Sequence, residues 1–463
     1  MISLSDAIQY AQDQRTRFLE ELTHFCKIPS ISTDEKYKDD VRRAADWLAE
    51  YFKRMGMLRT LVFPTARHPI VYSEWLQAGP AAPTVLVYGH YDVQPAEQET
   101  LVSWHSAPFE PVVKGENIFA RGATDMKGQI LASVFAVEAY LKTGSLPVNV
   151  KFMIEGEEEI GSPHLVDFMK EQRDLLSCDV FLNPDTGMIA AHLPTISYGL
   201  RGLAFFELYI YGPKKDLHSG AFGGVVHNPA LALCRVLAGL HDEKNRVTLP
   251  GFYDKVRELS PADRAEIAEL PKDDVFYLEQ TGVPALWGEA GYTPEERVGS
   301  RPTLEINGLY SGFIADGSKT VLPSYAMAKI STRLVPDQEP DEINLMFQEY
   351  LKRNVPGTVT WELKYRGGSP ASLSERSSLG IQAVTRAFES VWNKKPLFKR
   401  EGGSVPVVLH AKEILGVDTV NTGFSLPEDS MHGPDEKLHL PTWEKGIQAL
   451  IHFFNNLHDQ KDG

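Results

Sequence analysis

The sequence predicts an α/β protein: a discontinuous domain with a largely parallel mixed sheet covered by helices, plus an inserted α+β domain. Three observations predict it. Short continuous apolar runs at 84–88, 148–154 and 179–182 read as strands buried on both faces. A helical stretch over about 129–143 lies between the first two, the alternation that accompanies parallel pairing. From Arg201 the texture changes to apolar–polar alternation, which marks strands with one solvated face, and after Ser372 the first texture returns.

The elements follow in order. The chain opens as helix, with Ser3 or Ser5 as cap, and the segment runs to Cys26 before Pro29 stops it. A second helix over about 41–55 carries Val41, Ala44, Ala45, Leu48, Tyr51 and Phe52 at i, i+3, i+4 spacing. After the buried strands, 203–211, 326–335 and 358–365 alternate like antiparallel strands, with helical stretches at 229–241 and 341–354. Residues 242–300, rich in Pro, Gly and charge, take no clear assignment. A helix over 377–391, a strand over 417–421 and a helix over 443–457 close the chain. The expected domains are therefore 1–200 with 372–463, and 201–371 as the insertion.

Composition narrows the function. The 463 residues carry 47 basic and 62 acidic side chains, a net charge of −15. That balance speaks against a nucleic-acid surface, which needs a clustered basic face. The first residues lack a basic and apolar leader, and no apolar run approaches the ~20 residues of a membrane span. Cys26, Cys178 and Cys234 show no CxxC spacing and read as buried apolar residues of a reducing compartment. A cytoplasmic protein with neither membrane nor nucleic acid as partner is expected.

In open α/β sheets, ligands bind beyond the carboxyl ends of the strands. Gly89-His90-Tyr91-Asp92 follows the first predicted strand, Glu155 to Ser162 (EGEEEIGS) the second, and Asn183-Pro184-Asp185 the third. The loop after the last strand ends at Met431-His432-Gly433, and Asp125 precedes the 129–143 helix. Singly, each has an ordinary reading: a surface histidine, a solvated acidic run, a helix cap, a turn. Their joint placement at strand ends points to His90, Asp125, Glu159, Asp185 and His432 as a ligand set for zinc, manganese or cobalt. Three carboxylates balance two dications and a hydroxide, so the count favours a two-metal hydrolytic site with one bridging carboxylate. Asp92, two residues after His90, can orient that imidazole. HExxH, GxSxG and GxGxxG are absent, and GFIADGSKT at 312–320 misses the P-loop spacing by one serine.

GHYDV at 89–93, ARGATDMKG at 120–128, EGEEEIGS at 155–162, DLHSG at 216–220, GGSVP at 402–406 and MHGPDE at 431–436 resemble the co-catalytic metallopeptidases. That family includes aminoacylase, succinyl-diaminopimelate desuccinylase, glutamate carboxypeptidase and the carnosine and cytosolic nonspecific dipeptidases. KTVLP at 319–323 and RLVP at 333–336 are most similar to the dipeptidase branch. The resemblance implies that His90 and Asp185 bind one metal, Glu159 and His432 the other, and Asp125 both, next to a cis peptide to Met126. It implies Glu158 as general base to a metal-bridging hydroxide. It implies His218 reaching a partner's active site through a lid-domain homodimer, and Arg333 gripping the substrate carboxylate beside Gly403 and Ser404. Thr320 and Asn307 are further substrate contacts on the same ground. Dipeptide hydrolysis with two ions, zinc first, is the expected activity. An N-acyl-amino-acid deacylase or a C-terminal exopeptidase uses the same catalytic residues. A non-catalytic metal-binding scaffold has no need of Glu158, and a two-metal phosphoesterase would use similar ligands.

Overall fold

The computed structural model describes residues 4–96, 101–403 and 405–459. The chain divides into two compact units: Met1–Tyr198 with Ser374–Phe398 and His410–Gly463, and Gly199–Leu373 with Lys399–Leu409. The return of 399–409 to the second unit has no signal in the apolar pattern.

The first unit is built on a sheet whose principal strands are β1 (Arg59–Phe63), β2 (Ile70–Trp75), β3 (Thr84–His90), β4 (Asn149–Glu155), β5 (Val180–Asn183), β6 (Thr195–Leu200) and β7 (Thr419–Asn421). Their spatial order is β1-β2-β4-β3-β5-β7-β6. The centre is parallel, with β3 between β4 and β5 and β7 beside β5. β1, β2 and β6 add antiparallel pairings at the flanks. All seven residues of β4 are buried, the polar Asn149, Lys151 and Glu155 included.

Helix Gly128–Thr143 is buried along Gly128 to Tyr140, so it has no wet face to pattern. Its first residue must be glycine, because a Cβ there would lie 2.3 Å from the Ala123 carbonyl oxygen and 2.5 Å from Leu438. Helix Lys38–Met55 buries the stripe Val41, Ala44, Ala45, Leu48, Phe52 and Met55, and ends at Gly56 in the left-handed region (φ 112°). The opening helix is two, Leu4–Asp13 and Arg15–Cys26, broken at Gln14, whose ψ of 3° leaves the helical path. Behind them Phe18 stacks on Phe135 at 3.9 Å, and Trp443 of helix Leu440–Asp459 meets Phe135 edge-on. The Trp443 indole N–H donates to the Gly128 carbonyl at 2.7 Å. One carboxylate enters this core: Glu138 accepts from Arg17 (2.5 Å), Tyr10 (3.0 Å) and Tyr51 (2.5 Å), a full set of partners for a buried charge.

The second unit is a four-stranded antiparallel sheet in the order Thr303–Ser311, Tyr325–Leu334, Gly202–Tyr211, Thr360–Ser369. Its buried residues, among them Phe206, Leu208 and Ile210, pack with Val236 of helix Pro229–Ala238 and Phe347 of helix Pro340–Asn354. Residues 242–300 hold three short helices, Pro261–Ile267, Asp274–Thr281 and Pro294–Ser300. Capping boxes start two of them, Ser260 with Asp263 and Thr293 with Glu296. The cysteines are unbridged; Cys26 is buried, Cys178 half-buried and Cys234 exposed, which corrects the expectation that all three are buried.

Trp443 contributes both area and a hydrogen bond to the Gly128 turn. Trp443→Ala should therefore destabilise the protein by ~3–5 kcal/mol, read as a lower denaturant midpoint.

Candidate metal centre

The loops beyond the carboxyl ends of β3, β4, β5 and β7 carry the acids and imidazoles. His90 is the last residue of β3 and is 1% exposed. Its Nε2 lies 3.2 Å from Asp125 Oδ1 and 3.7 Å from Asp185 Oδ2. His432, in the loop after β7, places Nε2 2.8 Å from Asp125 Oδ2 and 3.5 Å from Glu159 Oε2. The five residues thus form two groups with the geometry to hold a metal ion: His90, Asp125 and Asp185, and Asp125, Glu159 and His432. Asp125 belongs to both. The peptide between Asp125 and Met126 is cis.

Asp92 sits beneath, fully buried. The His90 Nδ1 lies 3.0 Å from the Asp92 main-chain oxygen and 3.5 Å from its carboxylate. The same carboxylate accepts from the Glu158 N–H (3.3 Å) and the Glu159 N–H (3.1 Å). One aspartate therefore fixes an imidazole and the turn that carries two glutamates. The third acid of that run faces away: Glu157 accepts from Thr65 (2.7 Å) and the His68 N–H (2.8 Å), and pairs with His164 (2.6 Å).

Sequence reasoning missed a group of residues under this site. Glu436, fully buried, accepts from the N–H groups of Gly122, Thr124 and Asp125 and from Arg121. Arg121 also donates to the His432 carbonyl at 3.1 Å. Both residues stand inside motifs already noted, but a charge in a loop reads as solvated unless the loop is known to enter the core. Under β4, Tyr88 donates to Glu155 at 2.8 Å, and burial raises the Glu155 carboxyl to about 8.

The electrostatics call for positive charge. Burial, then Asp125, raise Glu159 to about 8. Burial raises Asp185 to about 7, with Asp125 adding and His90 opposing. Glu158 is raised by burial as well. Burial opposes a charged His90, yet Asp125, Asp92 and Asp185 raise it well above its ordinary value. His432 is raised to about 9, chiefly by its contact with Asp125. The buried His90 Nε2 has no aligned hydrogen-bond partner among the described residues. With Nδ1 turned to Asp92, a neutral His90 presents a lone pair to carboxylate oxygens, an arrangement that a proton or a metal cation between them stabilises. The mixed nitrogen and oxygen donors suit a borderline dication.

The remaining predicted residues lie in the second unit. His218 pairs with Val321 in a two-residue ladder, and the Ser219 N–H donates to the Thr320 carbonyl, so His218 and Thr320 are neighbours. Arg333 lies on strand Tyr325–Leu334 and lines a cavity of about 330 Å³ with Arg201, His241, Trp287 and Glu305. Asn307 sits at the irregularity of the adjoining strand, away from the Thr303–Arg333 pairing. Gly403 is exposed, and Ser404 lies outside the described residues.

A family model described as peptidase family M20/M25/M40 matches residues 86–456. The Cys-Gly metallodipeptidase DUG1 of Candida albicans is 31% identical over 472 residues, spanning 96% of this chain and 96% of that protein. The solved structure of the di-peptidase Dug1p from Saccharomyces cerevisiae superposes with a TM-score of 0.78 at 27% identity, covering 99% of both chains. The M20 family metallo-carboxypeptidase Sso-CP2 from Sulfolobus solfataricus gives 0.82 at 30% identity, covering 96% of this chain and 99% of that one. The chain belongs to peptidase family M20/M25/M40.

Protonated acids must release their protons to a cation, so uptake should strengthen as pH rises through about 7 to 8, the values of Asp185 and Glu159. The sign for stability is opposite in the metal-free protein. Raised carboxyls stabilise fully below their unfolded values, and that contribution is lost as pH rises through 7 to 8. Melting of chelator-stripped protein should fall between pH 6 and pH 9, and added dication should remove the fall.

Proposed function

We propose that this protein is a metal-dependent dipeptidase and that Asp125 is the shared ligand of two divalent cations, zinc first, with manganese or cobalt as alternatives. His90 and Asp185 complete one set, Glu159 and His432 the other. One observation carries the reading: a single buried carboxylate is common to two three-residue ligand groups. When bound, a pair of dications supplies Lewis acidity toward a carbonyl and makes water acidic enough to ionise near neutral pH.

The chain's own groups do the rest. Glu158 takes a proton from the attacking water and returns it to the departing amine. Asp92 holds the Glu158 and Glu159 N–H groups, so base and ligand keep one geometry. His218 supplies a hydrogen bond to the developing oxyanion. Its Nδ1 accepts from the Gly220 N–H at 3.0 Å, which leaves the neutral ring's proton on Nε2, ready to donate. We assign that donation to the site of a second copy, in a homodimer formed through the inserted unit. Arg333 binds the terminal carboxylate of the substrate through its planar fork, with Gly403, Ser404, Thr320 and Asn307 as further contacts. A cytoplasmic location is part of this reading. Among the described residues no helix is long and apolar enough to cross a membrane.

A second reading is favoured by one comparison: the Sulfolobus relative is a carboxypeptidase at 30% identity. A C-terminal exopeptidase, like an N-acyl-amino-acid deacylase, would use the same catalytic groups. A panel of free dipeptides, a tripeptide, an N-acetyl amino acid and a C-terminally blocked dipeptide separates them. Cleavage confined to free dipeptides is the expected result, and preference for the tripeptide or the acyl amino acid would replace the reading. Glu158→Gln should lower kcat by ~10²–10⁴-fold with metal content unchanged. Arg333→Lys should raise KM for free dipeptides by about tenfold or more with a smaller change in kcat.

A further inference from the structure

We propose that Glu436 and Arg121 are positioning residues that fix Asp125 and His432 relative to each other, and so set the affinity of the Asp125–Glu159–His432 position. The inference rests on the two-metal reading above.

The argument begins with His432. It is the most exposed ligand, 54% against 1% for His90, so it has little packing to hold it. Its backbone is in the left-handed region (φ 61°), as are those of Ser430 (φ 53°) and Asp435 (φ 57°). L residues rarely adopt that conformation, and it persists where surrounding contacts impose it. Here the contacts come from the Asp125 loop. The Arg121 Nη2 donates to the His432 carbonyl at 3.1 Å, and its Nη1 donates to Glu436 Oε2 at 2.8 Å. Glu436 Oε2 also accepts from the Gly122 N–H (2.9 Å), while Oε1 accepts from Thr124 N–H (3.0 Å) and Asp125 N–H (3.1 Å). A second carboxylate supports the seam: Asp429 accepts from the Thr124 hydroxyl (3.2 Å), the Leu426 N–H (2.8 Å) and the Lys437 ammonium (3.0 Å).

Glu436 thus faces four donors, two on each oxygen, and no other acceptor is offered to them by these contacts. Glutamine has the same shape but cannot do this work. Whichever way its amide turns, an NH₂ group opposes two N–H donors. Arg121 is 3% exposed, and lysine lacks the fork that reaches Glu436 and the His432 carbonyl together. His90 and Asp185 have no contact with either residue among the hydrogen bonds described, so the His90–Asp125–Asp185 position, which meets the seam only through Asp125, should feel the change less.

The test is a Zn²⁺ titration of chelator-stripped wild type, Glu436→Gln and Arg121→Lys against a competing indicator, with metal-free melting recorded for each. Glu138→Gln serves as a buried-carboxylate control remote from the seam. Wild type should take up two equivalents. In both seam variants one equivalent should weaken by about 10–100-fold, the range for partners behind metal ligands, while the other stays within about threefold. Glu138→Gln should lower melting and leave both equivalents unchanged. Two equivalents of unchanged affinity in the seam variants would overturn the inference, as would equal loss of both. So would unfolding of both seam variants before metal is added, because the contacts would then hold the fold and not the site. Fewer than two equivalents in wild type would instead overturn the two-metal reading on which this rests.

Discussion

Three carboxylates and two imidazoles occupy one largely buried volume, and that concentration of like charge is the constraint the first unit is organised around. Two carboxylates at ~4 Å repel by about 4 kcal/mol at the effective dielectric of a protein. Protons or cations have to lie among Asp125, Asp185 and Glu159, and the raised carboxyl values of the latter two express that requirement. The rest of the architecture distributes the load. The parallel strands deliver their ends to one edge, where loops can diverge without breaking the ladder. Asp92 is offset by two peptide N–H groups, and Glu436 by three with an arginine, so the supporting acids are neutralised by backbone and do not compete for the same cation.

Much of this was legible from residue order. The buried strands 84–88, 148–154 and 179–182 are found as Thr84–His90, Asn149–Glu155 and Val180–Asn183, because a strand covered on both faces leaves a continuous apolar run. The candidate ligands were legible for a related reason. Once strands are placed, topology says where chemistry must gather, and His90, Asp125, Glu159, Asp185 and His432 do gather there. Strands Arg59–Phe63 and Thr303–Ser311 left no such mark. The first is only partly buried, and the second is interrupted between Ile306 and Gly308, which destroys its two-residue period. The opening helix also read as continuous, since a break at Gln14 needs neither glycine nor proline.

The acidic run at 157–159 shows why charge alone misleads. Three consecutive glutamates have the composition of a solvated face, yet one is locked to Thr65, His68 and His164 while the other two are fixed through their N–H groups by Asp92. Arg121 and Glu436 repeat the case: charged residues of loops, and both are buried. Buried ion pairs of this kind add little net stability against an apolar replacement, but they impose one geometry. In the second unit the same device recurs: Arg301, 2% exposed, is held by both oxygens of Glu289 at 2.8 Å. There it orders a segment, 242–300, whose Pro, Gly and charge content concealed three capped helices.

The candidate ligands are widely spaced along the chain: His90 and His432 stand 342 residues apart (432 − 90). On a ribosome adding ~5–20 residues per second, roughly 20–70 s separate the emergence of the two imidazoles. Once Asp185 has emerged, and for most of that interval, the growing polypeptide holds His90, Asp125, Glu159 and Asp185 without the final histidine or the arginine–glutamate seam. A nascent chain in that state has its acids and lacks its last donor. On the two-metal reading, a product shortened at its C-terminal end before residue 432 would keep Asp125 and Glu159 and lack the one imidazole of their group.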